Sequence, residues 1–301
     1  MTHDLSVLEA IGAGLLQGVA LVFPISGLGH GVLAGAIGQD AGSDLAPGVV
    51  GPLYPALRVA VAVALAAYFW RDWARIGRGL LVSAGRRRLS EPEQRWAWLV
   101  VLAAAPGCVA IAALTPRARS LQDHPLLVAG CLAGNGLFML AVWWWWRRSP
   151  RAGGMSGVHR APLTRAEDAG AFAAELSVLR VPRALLLGLL AVASLVPGIS
   201  GVGLMLAAAL MWGLTHEQAV RAALIIVTPV LLTWGLRELP ALGSGSWDEI
   251  HGTVLLAGAV ALVAAYLATA LLVRYFKSSS LRPFGYYCLV AGGAAVLWLT
   301  R

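Results

Sequence analysis

The sequence predicts an all-α integral membrane protein: an inverted-topology repeat with six transmembrane helices and two re-entrant helical hairpins. Three observations predict it. Apolar residues make up 58% of the 301-residue chain and charged residues 13%, where soluble domains carry about 45–50% and about 25%. Residues 14–30 (GLLQGVALVFPISGLGH) and 188–204 (GLLAVASLVPGISGVGL) are identical at nine of seventeen positions, at a constant offset of 174. Basic residues, finally, fall on the connecting segments in a strongly uneven way.

The elements follow in order. Residues 8–38 run apolar, reach Pro24, break into a Gly- and Ser-rich turn and become apolar again. Such a stretch reads as two half-helices in a re-entrant hairpin, because non-helical backbone at membrane depth must be buried in protein or line a polar cavity. Gly51–Trp70 is the first span, since about 20 apolar residues cross about 30 Å of hydrocarbon. Residues 71–95, with seven Arg, read as a loop. Trp96–Ala113 and Leu126–Trp146 are the next spans. The second ends in Trp143–Trp146 followed by Arg147 and Arg148, an interfacial belt with its anchor. Residues 147–183 form a second loop, again with seven Arg. Residues 184–213 repeat the hairpin, and Ala219–Leu236, Thr253–Val273 and Gly285–Leu299 complete the spans. Residues 1–301 are thus one membrane domain, with half-repeats at 1–146 and 184–301.

Charge sets the orientation. If each hairpin returns to the side it entered from, eighteen Lys or Arg lie on one side, in 71–95, 147–183, 214–221 and 274–282. Only Arg117, Arg119, Arg237 and Arg301 lie on the other. The positive-inside rule makes the rich side cytoplasmic. Both termini, residues 39–50 and residues 238–249 then lie outside.

The net charge of +8 is therefore mainly a topology determinant, with modest affinity for anionic headgroups as a by-product. No basic face with interleaved aromatics suits nucleic acid. Cys108, Cys131 and Cys288 have no metal-binding spacing and read as small buried hydrophobes. The opening MTHDLSVLEA carries no basic stretch, so no cleavable signal peptide is expected.

The hairpin tips carry the chemistry. N-termini of half-helices offer unpaired N–H groups and a favourable dipole to an anion, and glycine lets the anion approach the backbone. A Gly-rich turn also serves close helix packing, but two copies with the same break favour a site. The phosphate-binding candidates are Gln17, Gly29, Arg58, Gly198, Ser200, Gly201 and Gly203; the catalytic candidates are Ser26 and His30. Arg58 inside an apolar span reads as a site cation or as a side chain snorkelling outward. His30 reads as a general base, a phosphate donor or a packing residue. Asn135 reads as interhelical hydrogen-bond glue.

On these residues the chain resembles the bacterial undecaprenyl-pyrophosphate phosphatase (BacA-type) family. Residues 14–30 resemble its first motif, FWRDW at 69–73 its first basic exit, and VPRALLLGLLAVASLVPGIS at 181–200 its second motif. AALIIVTPVLL at 222–232 and RYFKSSSLRPFGYYCLVAG at 274–292 resemble its late helices. The resemblance implies a bacterial plasma-membrane protein with six spans and two hairpins. It also implies a polyprenyl pyrophosphate substrate hydrolysed to the monophosphate in cell-envelope lipid recycling, with Mg²⁺ or Ca²⁺ in the reaction.

Against that family's pattern, Gln17 fits the first motif, but Leu21 stands where its second acid does. Ser26 and His30 are kept, while Gly27 replaces a proposed Ser nucleophile. Pro197, Gly198 and Ser200 match the second motif, whereas Gly201, Val202 and Met205 replace its Arg, Ser and Thr. Tyr54 and Arg58 stand where the family has Glu and Gln. Neither hairpin holds an Asp or Glu between residues 11 and 38 or between 184 and 213, so no metal ligand is expected there. Loss of one catalytic group costs roughly two to four orders of magnitude in rate, so hydrolysis is expected to be weak or lost. The alternative is a non-hydrolytic transporter, flippase or carrier of polyprenyl phosphate or another anionic lipid; a third reading is a non-catalytic subunit or lipid sensor. The implied partners are the polyprenyl lipid and the membrane, with a homodimer or a cell-envelope assembly protein as further ones.

Overall fold

A computed structural model describes residues 6–40, 50–148, 180–240 and 247–301. Most of the 147–183 loop, and parts of the 39–50 and 238–249 segments, lie outside the described residues. All regular structure among the described residues is helical.

Helix α1 (Val7–Ala20) starts at a capping box in which Ser6 Oγ accepts from Glu9 N–H at 3.2 Å. It ends at a break over residues 21–26, and α2 (Gly27–Asp40) follows. Helix α3 (Val50–Tyr68) turns by 83° at Phe69 into α4 (Trp70–Arg86). Helices α5 (Pro92–Arg119) and α6 (Pro125–Arg148) follow. Beyond them come α7 (Val181–Val192), a short 3₁₀ turn and a break, α8 (Gly201–Met211), α9 (His216–Glu238), α10 (Trp247–Tyr275) and α11 (Arg282–Leu299).

By length and composition, four described helices are apolar enough to cross a membrane: α5, α6, α9 and α10. The bent α3–α4 pair makes a fifth. Leu255, Leu271, Val290 and Leu297 on α10 and α11 face outward, a surface suited to lipid rather than water.

The segment 71–95, expected as a loop, is largely helical. Arg71, Arg75 and Arg78 recur at the i, i+4, i+7 spacing of one helix face. Ile76, Gly79 and Ser83 are buried on the other. The polar composition had masked an amphipathic helix.

Helix α1 lies on α10 and α7 on α5, while α3 meets α9 and α6 meets α11. The close approaches are made by corresponding glycines. A Cβ on Gly14 would lie 2.6 Å from the Ala257 carbonyl oxygen, and one on Gly188 would lie 1.8 Å from that of Ala103. Helix α9 is the centre of the bundle, with 72% of its apolar window buried against 28% for α10.

Candidate functional site

The two breaks meet. Ser26 sits at φ +69°, a left-handed conformation that costs a non-glycine residue of the order of 1–3 kcal/mol. The conformation turns its hydroxyl onto two backbone donors, Gly29 N–H at 3.3 Å and Gly198 N–H at 3.1 Å. The second bond joins the halves. Gly198 itself has φ +94°. At the corresponding place in the second half, Ser200 caps α8 by accepting from Gly203 N–H at 3.1 Å. Its own N–H donates to Asn135 Oδ1 at 3.2 Å, and Asn135 Nδ2 reaches Cys288 Sγ at 3.7 Å. Asn135 thus ties the second tip to α6 and α11, the gluing part read for it in the sequence.

Between the tips, α3 and α9 lies a small cavity. Gln17, Ser26, Gly27, Ser200, Gly201 and Arg58 all line it, residues far apart in the chain. Water centres can occupy about 30 Å³ of it, room for a water molecule or two and too little for a diphosphate. The amides of Gly29, Gly198 and Gly203 bond the two serine hydroxyls instead of facing this space. His30 is turned away from it. Its Nδ1 lies 2.8 Å from the Ser26 carbonyl oxygen, which can only accept, so Nδ1 carries the proton. Nε2 then accepts from the Tyr287 hydroxyl at 2.9 Å.

Arg58 is the charged residue among the described lining residues. It is 4% exposed and forms an ion pair with Glu238 at the end of α9. Its guanidinium lies 3.8 Å from the Trp234 ring centroid and 5.0 Å from that of Tyr54. Sequence reasoning missed Glu238, Trp234 and Ser194, another lining residue. A signal for Glu238 was present: a cation inside an apolar span demands a counter-ion, and Glu238 ends an apolar span on the same expected side.

Three polar atoms of residues lining the cavity have no hydrogen-bond partner among the described residues, Gln17 Oε1, the Tyr54 hydroxyl and Trp234 Nε1. The other amide atom of Gln17 is used, since Nε2 donates to the Gly27 carbonyl at 2.9 Å. Buried polar atoms left unpaired cost about 1–3 kcal/mol each, a cost that a water in this space would offset. The donor set does not fit Mg²⁺ or Ca²⁺, which want carboxylate oxygens. No carboxylate is among the lining residues, and no group of three or more His, Cys, Asp or Glu is close enough to hold a metal among the described residues.

Fold and site together define a multi-pass helical membrane protein with a polar cavity where two interrupted helices meet. The family model described as Bacitracin resistance protein BacA matches residues 10–294, and the chain belongs to that family. It is 37% identical over 304 residues to the undecaprenyl-diphosphatase of Mycolicibacterium paratuberculosis, covering 99% of each chain. It is likewise 37% identical to undecaprenyl-diphosphatase 2 of Frankia alni, over 96% of this chain and 97% of that one. Identity to undecaprenyl-diphosphatase 2 of Chromobacterium violaceum is 33%, over 98% and 99%.

Proposed function

We propose that this protein handles polyprenyl (pyro)phosphate in the lipid-carrier cycle of the bacterial cell envelope, binding the phosphate head between its two hairpin tips with little or no hydrolysis. The names of the relatives support the lipid and the family reaction. The observation that carries the departure from that reaction is the make-up of the cavity wall. Leu21, Gly27, Gly201 and Val202 line it at the positions where the resembling enzymes have acid, hydroxyl and arginine. Ser26 spends its hydroxyl oxygen on two backbone donors, and His30 is held by Ser26 and Tyr287. Hydrolysis of a phosphoanhydride needs an oriented nucleophile and charge stabilisation on the phosphoryl oxygens. The lining offers one cation and no acid.

The same reading includes the topology. Two inverted halves, each a re-entrant hairpin with three spans, account for the equivalent packing of α1 on α10 and α7 on α5. They also account for the matching Ser26–Gly29 and Ser200–Gly203 caps. With both termini outside, α4 and the other basic segments face the cytoplasm.

Phosphate release from undecaprenyl pyrophosphate by purified protein in detergent with Mg²⁺ or Ca²⁺, beside His30→Ala, tests the reading. Release at the background rate is expected. Robust turnover abolished by His30→Ala overturns it. Transfer of polyprenyl phosphate between liposome leaflets then asks whether the retained site moves its lipid, with Arg58→Ala as the control expected to fail.

A further inference from the structure

Where α6 ends and α11 begins, arginines and aromatic rings collect at one corner of the bundle. The two helices are locked together just below it. A Cβ on Gly136 would lie 2.5 Å from the Leu289 amide nitrogen, and one on Gly285 would lie 2.8 Å from Leu140 Cγ. Trp143 follows Leu140 by three residues and Arg282 precedes Gly285 by three, so just under one turn beyond that contact the two side chains meet. The Arg282 guanidinium lies 5.0 Å from the Trp143 ring centroid and 5.3 Å from that of Tyr286. Arg147 lies 5.0 Å from the same Trp143 ring, and Arg148 lies 3.6 Å from that of Trp144.

These cations lack an acid. No carboxylate pairs with Arg147, Arg148 or Arg282 among the described residues. Stacking engages the faces of the guanidinium planes and leaves the N–H donors at their edges for another acceptor. The helix dipole compensates Arg147 and Arg148, which end α6, but Arg282 opens α11 and has the positive end of the dipole beside it. The corner therefore calls for an anion from outside the chain. None of its residues lines the cavity between the hairpin tips, so the corner is a separate place on the molecule.

Below Arg282 runs a track for an apolar chain. Tyr286, Val290, Gly293 and Leu297 follow it on one face of α11. Tyr286, Val290 and Leu297 are exposed, and a Cβ on Gly293 would meet nothing within 4 Å. From Tyr286 to Leu297 the helix rises about 16 Å, roughly one leaflet of a hydrocarbon layer about 30 Å thick. A cationic head site over an apolar stripe one leaflet deep has the dimensions of an acyl lipid, and a long polyprenyl chain would outrun it.

We propose that this corner binds an anionic phospholipid of the leaflet bordering it. Arg147 and Arg282, gathered on Trp143, hold its phosphate, and one acyl chain lies along the Tyr286–Leu297 stripe.

The test is native mass spectrometry of the purified protein titrated with phosphatidylglycerol and, separately, with phosphatidylcholine of the same acyl chains. Phosphatidylglycerol is expected to bind the tighter. Arg147→Gln and Arg282→Gln are each expected to weaken it about fivefold, the worth of one cation beside an anionic headgroup, with phosphatidylcholine binding unmoved. Arg88→Gln, at an exposed arginine beyond α4, is the control and is expected to bind as the wild type does. All three side chains are exposed, so the fold tolerates the changes. Equal losses in the three variants, or no preference between the two lipids, overturn the site. Farnesyl phosphate held more tightly than phosphatidylglycerol, with the same dependence on Arg147 and Arg282, overturns the choice of a phospholipid. Inorganic phosphate that displaces phosphatidylglycerol at equal concentration overturns the part given to the acyl chain; no displacement is expected.

Discussion

Leu21 covers Gly27: a Cβ built on Gly27 would lie 2.8 Å from Leu21 Cδ2 and 2.9 Å from its Cγ. The two departures from the family pattern in the first hairpin are therefore one packing change. The leucine fills space that a serine side chain at position 27 needs. Gly27→Ser alone is expected to destabilise the protein by about 1 kcal/mol, because Leu21 must rotate away. In a Leu21→Ala background part of that penalty should vanish, the contact with Gln17 Oε1 at 2.9 Å remaining. Thermal unfolding of the two singles and the double in one detergent measures the coupling, and strictly additive effects would contradict the contact.

The glycines of the repeat separate close packing from mere flexibility. A Cβ on Gly188 meets the Ala103 carbonyl oxygen at 1.8 Å, whereas one on Gly12 has nothing within 4 Å. Gly188→Ala must push α7 from α5, at a cost of about 3 kcal/mol. Gly12→Ala should instead stabilise α1 by about 0.5–1 kcal/mol. Melting temperatures moving in opposite directions are the expected result.

Much of this was legible in the sequence, for identifiable reasons. The breaks at 21–26 and 196–200 announce themselves because proline and glycine interrupt an apolar run twice at one offset. Four of the expected spans, and a fifth in the bent α3–α4 pair, are legible because hydrocarbon imposes a length on them. Helix α4 was hidden because its composition reads as loop, and only the spacing of Arg71, Arg75 and Arg78 betrays it. The site was less legible. Ser26 adopts a left-handed φ to reach Gly198, 172 residues away, and nothing local foretells that. His30 could be placed at a tip from its motif, but which way its ring turns depends on Tyr287, from a helix at the far end of the chain.

The buried pair predicts its own mutational signature. Arg58→Met takes the guanidinium away from the Glu238 carboxylate, and loss of one member of a buried pair typically costs about 3–5 kcal/mol. Replacing both, Arg58→Met with Glu238→Leu, should recover most of that stability while still failing to bind a phosphate lipid. Denaturation in detergent reads the first effect and lipid binding the second.

The central claim is that the cavity keeps the anion and has lost the chemistry. Native mass spectrometry of the purified protein loaded with undecaprenyl pyrophosphate and Mg²⁺, followed over hours, reads both parts at once. The relative from Mycolicibacterium paratuberculosis, run beside it, supplies the comparison. A bound lipid that keeps the mass of the intact diphosphate is the predicted result, with conversion at least about 100-fold slower than in that relative. Bound or released monophosphate appearing at a comparable rate would contradict the account.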